Sequence, residues 1–265
     1  MKPILLLVSI VVFSAANVLG QPQPQQPRQP AIQKGRQVLI DFRQERAGKP
    51  VKVAPATERM VLSKVFRRYL TDENKCNTGF GLNESDHLAA ARKAGQMVPS
   101  IADVVTGSFT EPGQTQTAYV IFVRECNASH ADNFGSKRVA IFAGQQLVAD
   151  IDSEFQGNFE RKTDLNSDGV DELLMTGGDM NQGVLIELAN LVEFRNGRRR
   201  VIEDFGTVIE DSCAAAMPGS SSKASVISIS DIEPGKMPKL RIDNYVSSCR
   251  NVKRWRFLST GKMEQ

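Results

Sequence analysis

Aromatic residues make up only 6% of this 265-residue chain, with one tryptophan, and histidine occurs twice. The sparse aromatics are not interleaved with basic residues, so the stacking-plus-charge pattern of nucleic-acid binding is missing and no nucleic-acid partner is expected. Net charge is small, at +3. The densest basic cluster, Arg198-Arg199-Arg200, follows Asn196-Gly197 and precedes Val201-Ile202, which reads as the solvated end of a hairpin. His87 and His130 do not form a His-x-x-x-His zinc pair. No Gly-x-Ser-x-Gly elbow or glycine-rich phosphate loop occurs, and no two cysteines stand in Cys-x-x-Cys spacing. Zinc chemistry, the α/β-hydrolase nucleophile, phosphate cradling and dithiol redox catalysis therefore have no motif here. Ser220-Ser221-Ser222-Lys223 has the Ser-x-x-Lys spacing of penicillin-binding enzymes but lacks their companion motifs. Its Pro-Gly-Ser-rich setting reads as a flexible linker.

Long apolar runs are also scarce. The one at Ile4–Ala16 falls short of the roughly 20 residues a membrane span needs. It follows Lys2 and leads to the small residues Ala16 and Gly20, the form of a secretory signal peptide over residues 1–20. A secreted or periplasmic location, with no transmembrane anchor after signal cleavage, is the expectation. Residues 21–35, rich in Gln and Pro, read as a flexible tether. The four cysteines, Cys76, Cys126, Cys213 and Cys249, fit two disulfides made in an oxidising compartment. Three pairings are open. Cys76–Cys126 and Cys213–Cys249 join nearest neighbours in sequence, and each such loop closure stabilises by ~3–4 kcal/mol.

Residues 36–97 read as a mainly helical segment. Val38–Phe42 is a short apolar run open to strand or helix. From Thr57, taken as N-cap, Val61, Leu62, Val65, Phe66, Tyr69 and Leu70 share one helical face. A second helix runs from Ser85 to Ala94, ended by Gly95 in a left-handed cap. Residues 98–265 change to short β-branched and aromatic runs between glycine-containing turns. Residues 138–142 and 146–149 flank Ala143-Gly144-Gln145 as a hairpin, and residues 191–194 and 201–205 flank Asn196-Gly197 as another. The runs repeat. Gly107-Ser108-Phe109 recurs 50 residues on as Gly157-Asn158-Phe159, and Asp231 to Leu240 repeats the nine steps of Asp164 to Leu173 at an offset of 67. Such periods predict a mainly β fold of propeller-like antiparallel sheets, or an irregular β-sandwich or barrel, with a small N-terminal helical segment.

The stretch Asp164-Leu165-Asn166-Ser167-Asp168-Gly169-Val170-Asp171-Glu172 carries the most specific chemistry. Asp164, Asn166 and Asp168 offer side-chain oxygens at positions 1, 3 and 5. Gly169 permits the sharp turn, Val170 offers its carbonyl, and Glu172 offers a carboxylate at position 9. Several oxygens aimed from one loop suit a hard divalent cation, calcium above all. An EF-hand needs a bidentate Glu at position 12, where Met175 stands, so this is a different calcium loop. The run DLNSDGVDELLM resembles the calcium loop of FG-GAP (VCBS) repeats, the blade units of integrin α-chain propellers and of many exported bacterial proteins. The resemblance implies a loop that joins two strands of a blade, with the ion stiffening the turn. The copy around Glu111-Pro112-Gly113-Gln114 has one carboxylate and the copy at Asp231 keeps only that residue and Glu233, so one calcium is expected.

The expectation is an exported, non-enzymatic, calcium-stabilised β-repeat protein that binds another protein or a glycan. The alternative is a secreted hydrolase whose catalytic carboxylates, for example among Asp103, Glu125 and Asp243, converge only in the fold.

Overall fold

The structure, a computed structural model, describes residues 35–44, 51–77, 87–126, 136–154, 156–215, 219–251 and 254–263. The chain divides into units of residues 1–31 and 32–265, and every described residue belongs to the second. The expected signal peptide, nearly all of the tether, His130 and the N-cap Ser85 lie outside the described residues.

Strand β1 (Gln37–Asp41) comes first, followed by helices α1 (Pro55–Val65) and α2 (His87–Ala94). Strands β2 (Met97–Gly107), β3 (Gln116–Glu125), β4 (Ser136–Ala143) and β5 (Gln146–Glu154) form one antiparallel meander. Strands β6 (Asn158–Thr163), β7 (Glu172–Asn181), β8 (Val184–Arg195) and β9 (Arg198–Asp211) form a second. The third contains β10 (Ser221–Ser230), β11 (Lys239–Ser248) and β12 (Arg256–Thr260), with β1 antiparallel to β10 on its other side. Three four-stranded units result. The second and third join into one eight-stranded sheet because β9 and β10 pair over Asp211↔Ser222 to Ile209↔Ala224.

Alternation along the strands explains the layering. In β3 and β4, Ala118, Val120, Val139 and Ile141 face Leu173, Met175, Val192 and Phe194 of the second unit. The opposite face, with Tyr119, Ile121, Val123, Ala140 and Phe142, is covered by Val61, Leu62 and Val65 of α1 and Ala91 of α2. Leu174, Ala189 and Leu191 point the other way, into a core shared with Ala224, Ile227, Ile229 and Ile242 of the third unit and with Leu39 and Phe42 beside β1. The second unit is thus buried on both faces at its centre, where Leu173-Leu174-Met175 of β7 and Leu191–Phe194 of β8 lie, while β6 and the start of β9 keep polar, exposed residues.

Several local expectations are corrected. α1 starts two residues before Thr57: Ala54 is the N-cap without a side-chain bond, and Pro55 supplies the pre-set φ that suits a first helical position. The helix ends at Val65, although Phe66 still enters its core. Val38–Asp41 is strand, so the 36–97 segment lends a strand to the third unit as well as the helices. The Ser221-Ser222-Lys223 run is part of β10, not a linker, and Lys223 Nζ is 2.9 Å from Glu210 Oε1. Gly95 takes the left-handed φ of +76° that the cap requires. Asn196 and Gly197, with φ of 52° and 69°, form the two-residue turn between β8 and β9.

Cys76 is bonded to Cys126 and Cys213 to Cys249, the nearest-neighbour pairing. The first ties the chain beyond α1 to the end of β3. The second closes the end of the joint that β9 and β10 hold with only a short ladder. Replacing Cys213 and Cys249 together by serine should therefore cost ~2–4 kcal/mol of unfolding free energy, read as a lower urea midpoint in non-reducing buffer.

Candidate functional site

Each unit has an eight-residue loop between two consecutive antiparallel strands: 108–115 between β2 and β3, 164–171 between β6 and β7, and 231–238 between β10 and β11. Each loop contains a glycine at positive φ, namely Gly113 (71°), Gly169 (85°) and Gly235 (75°). The offset of 67 residues is thus a true structural correspondence. The offset of 50 is not, since Gly107 ends β2 while Gly157 precedes β6.

The three loops lie side by side, with 164–171 in the middle. The Asp171 N–H donates to the Ser108 carbonyl at 2.6 Å, and the Ser108 N–H donates to Asp171 Oδ2 at 2.8 Å. On the other flank, the Gly235 N–H donates to the Asn166 carbonyl at 2.5 Å. A Cβ at Gly169 would lie 3.0 Å from Pro112 Cβ, so close approach as well as backbone sign requires glycine there.

Within the middle loop, side-chain oxygens curl the backbone. Asp164 accepts from the N–H groups of Asp168 (3.1 Å) and Gly169 (3.0 Å). Asn166 Oδ1 also accepts from the Asp168 N–H at 3.0 Å, and Asp168 Oδ1 accepts from the Val170 N–H at 2.9 Å. Leu165 and Val170 are buried, and Leu165 belongs to the core shared with the third unit. Glu172 is fully buried. Its Oε2 accepts from the Leu165 N–H at 2.7 Å, and its Oε1 has no hydrogen-bond partner among the described residues. Burial, opposed by the Leu165 N–H and reinforced by Asp168 and Asp164, pushes the Glu172 carboxyl up to about 7. Burial also acts upward on Asp168, but the Val170 N–H, the Asn166 amide and Arg195 outweigh it and hold that carboxyl below the usual range.

Asp164, Asn166, Asp168, Val170 and Glu172 therefore share one tight turn. Their carboxylates are directed at backbone donors and at Arg195, and among the described residues no three acidic, histidine or cysteine side chains stand grouped at metal-binding spacing. Two residues escaped the sequence reading. Arg195 contacts Asp168 Oδ2 and lies 3.2 Å from Glu193 Oε2. Glu193, 2% exposed, accepts from Arg200 Nε at 2.6 Å. Leu173 pairs with Val192, so Glu172 and Glu193 are the next residues along adjoining strands. In the basic cluster Arg198 and Arg200 are solvated as expected, although Arg200 also holds Glu193, while Arg199 is half-buried and donates to Gln156 Oε1 at 2.6 Å.

Of the carboxylates named for a hydrolase, Asp103 and Asp243 serve the framework. Asp103 accepts from the Phe159 N–H at 2.7 Å. Asp243 is bonded to Thr260 (2.7 Å), Arg241 (3.0 Å) and Arg36. The side chain of Glu125 lies outside the described residues. A cleft of about 310 Å³ between β9 and β11 is lined by Ile202, Phe205, Met237 and Leu240, with Glu203 and Arg241 supplying opposite charges in place of an acid pair. Comparison with family models, with curated proteins and with solved structures gave no match.

The raised Glu172 carboxyl has a testable sign. A folded-state value above the unfolded one contributes stability that is complete below pH 4.5 and is lost as pH rises through about 7. In chelator, Glu172→Gln should therefore gain in urea midpoint relative to wild type between pH 5 and pH 8. A difference that stays constant across that range would remove Glu172 from this role.

Proposed function

We propose that the protein is an exported, calcium-stabilised β-repeat module of the FG-GAP/VCBS type, acting by binding a protein or glycan partner rather than by catalysis. The observation that carries this reading is the buried, unpartnered Oε1 of Glu172, set in a loop whose other oxygens are of the kind hard cations take. Asp164, Asn166, Asp168, the Val170 carbonyl and Glu172 would hold the ion. Bound there, it supplies positive charge to three crowded carboxylates and gives the orphaned oxygen a partner. Asp171 keeps its separate task of fastening the loop to Ser108.

The position of the loop supports a structural role for the ion. It touches the corresponding loops of both neighbouring units, so stiffening it steadies one edge of all three. Its flanking elements are strands, and an ion here has no helix pair to open. The export reading is supported by the two disulfides, and among the described residues no helix is long and apolar enough to cross a membrane.

Calcium at 100 times its dissociation constant would add ~2.7 kcal/mol. The corresponding rise in melting temperature over chelator is roughly 5–10 °C for a chain of this size. Asp168→Ala should abolish the rise. A wild-type melting curve that is the same in calcium and in chelator would reduce the loop to a plain turn.

A further inference from the structure

Arg195 stands immediately before the Asn196-Gly197 turn at the tip of the β8–β9 hairpin. Its guanidinium is shared between carboxylates from two elements, Asp168 Oδ2 on the middle loop and Glu193 Oε2 on β8. Asp168 Oδ1 is committed to the Val170 N–H. Oδ2 is thus the oxygen left for a cation, and it is the one that Arg195 holds, with the Asn166 amide 3.1 Å away.

The two partners of Arg195 depend on it unequally. Glu193 is buried, yet Arg200 sits on its other oxygen and would still compensate its charge if Arg195 left. Asp168 has no second cation within ion-pair distance among the described residues. The Arg195 side chain is 48% exposed, so its charged head has open solvent to turn into while its stem stays along the surface.

We propose that Arg195 is a tethered cation that holds the middle loop in its ion-free form, competes with calcium for Asp168 Oδ2, and is released when the ion binds. The inference rests on the calcium reading above. A guanidinium fixed beside the site repels a divalent ion and so lowers its affinity. The same guanidinium keeps Asp168 and Glu193 from repelling each other while no ion is present. Calcium occupancy would then be coupled to freedom of the hairpin tip, giving the loop a readout on the protein surface.

The test is calorimetric titration of calcium into the full chain, wild type and Arg195→Gln, each prepared free of metal and melted in chelator. Removing one partly screened unit charge beside the site should tighten calcium binding by about tenfold in the variant and lower its melting temperature in chelator. Binding by the variant alone would support the proposal equally. Wild-type binding with an equal or weaker affinity in the variant would overturn the proposal and leave the calcium reading standing. No binding by either protein would overturn both. The wild-type Arg195 Nη2–H resonance, from the nitrogen that contacts Asp168, gives a check that needs no variant. It should be protected from exchange in chelator and lose that protection in calcium, and unchanged protection on saturation would overturn the release.

Discussion

Leu173, Leu174 and Met175 are consecutive and all fully buried, which is possible only because they point alternately into two different cores. This two-sided burial of β7 is the constraint on which the rest depends. It makes the second unit the middle layer, with the first unit packed on one face and the third on the other. It also brings Glu172 inside, because Glu172 shares with Leu174 the face of β7 that meets the core containing Leu165. The buried carboxylate at the head of the candidate site follows from where the hydrophobic cores lie.

A carboxylate in that position sets the electrostatics around it. Asp164 and Asp168 lie close enough to raise the cost of ionising Glu172, and Glu193 stands beside it on the next strand. The positive charge that answers them comes from Arg195 and Arg200 on either side of the β8–β9 turn. The chain Asp168–Arg195–Glu193–Arg200 thus ties a loop to a hairpin that is its neighbour only through the sheet. Desolvated acids bridged by half-exposed cations form an arrangement that a small change of charge can shift. This is the physical basis for reading the loop as a place where an ion matters.

The three equivalent loops lend the units a common edge that the ladders alone do not provide. The second and third units share three residue pairs between β9 and β10, after which β1 takes over the pairing of β10. Loop contacts through Ser108–Asp171 and Asn166–Gly235 hold one end of the stack, and Cys213–Cys249 reinforces the joint. The helical layer covers the outer face of the first unit, where Tyr119 and Phe142 pack edge to face at 5.7 Å.

What the sequence by itself determined is local. Asn-Gly and Gly turns specify hairpins because few residues accept positive φ, and the Asp164–Glu172 spacing specifies a curled, oxygen-rich loop because short polar side chains cap their own backbone. The correspondence of Asp164 with Asp231 is legible because each stands nine residues before a strand leucine, Leu173 or Leu240. The Gly107–Gly157 match misled, because a Gly-x-Phe triplet can lie on either side of a strand end. β2 was hidden because its alternation is interrupted by Pro99 and polar residues that an outer strand tolerates. Only the tertiary structure decided that Glu172 is buried, that Arg195 and Glu193 belong to the same site, and that β1 completes the third unit. Each of these depends on cross-strand register and on which face meets which core, and such relations between distant residues have no signature in the order of the chain.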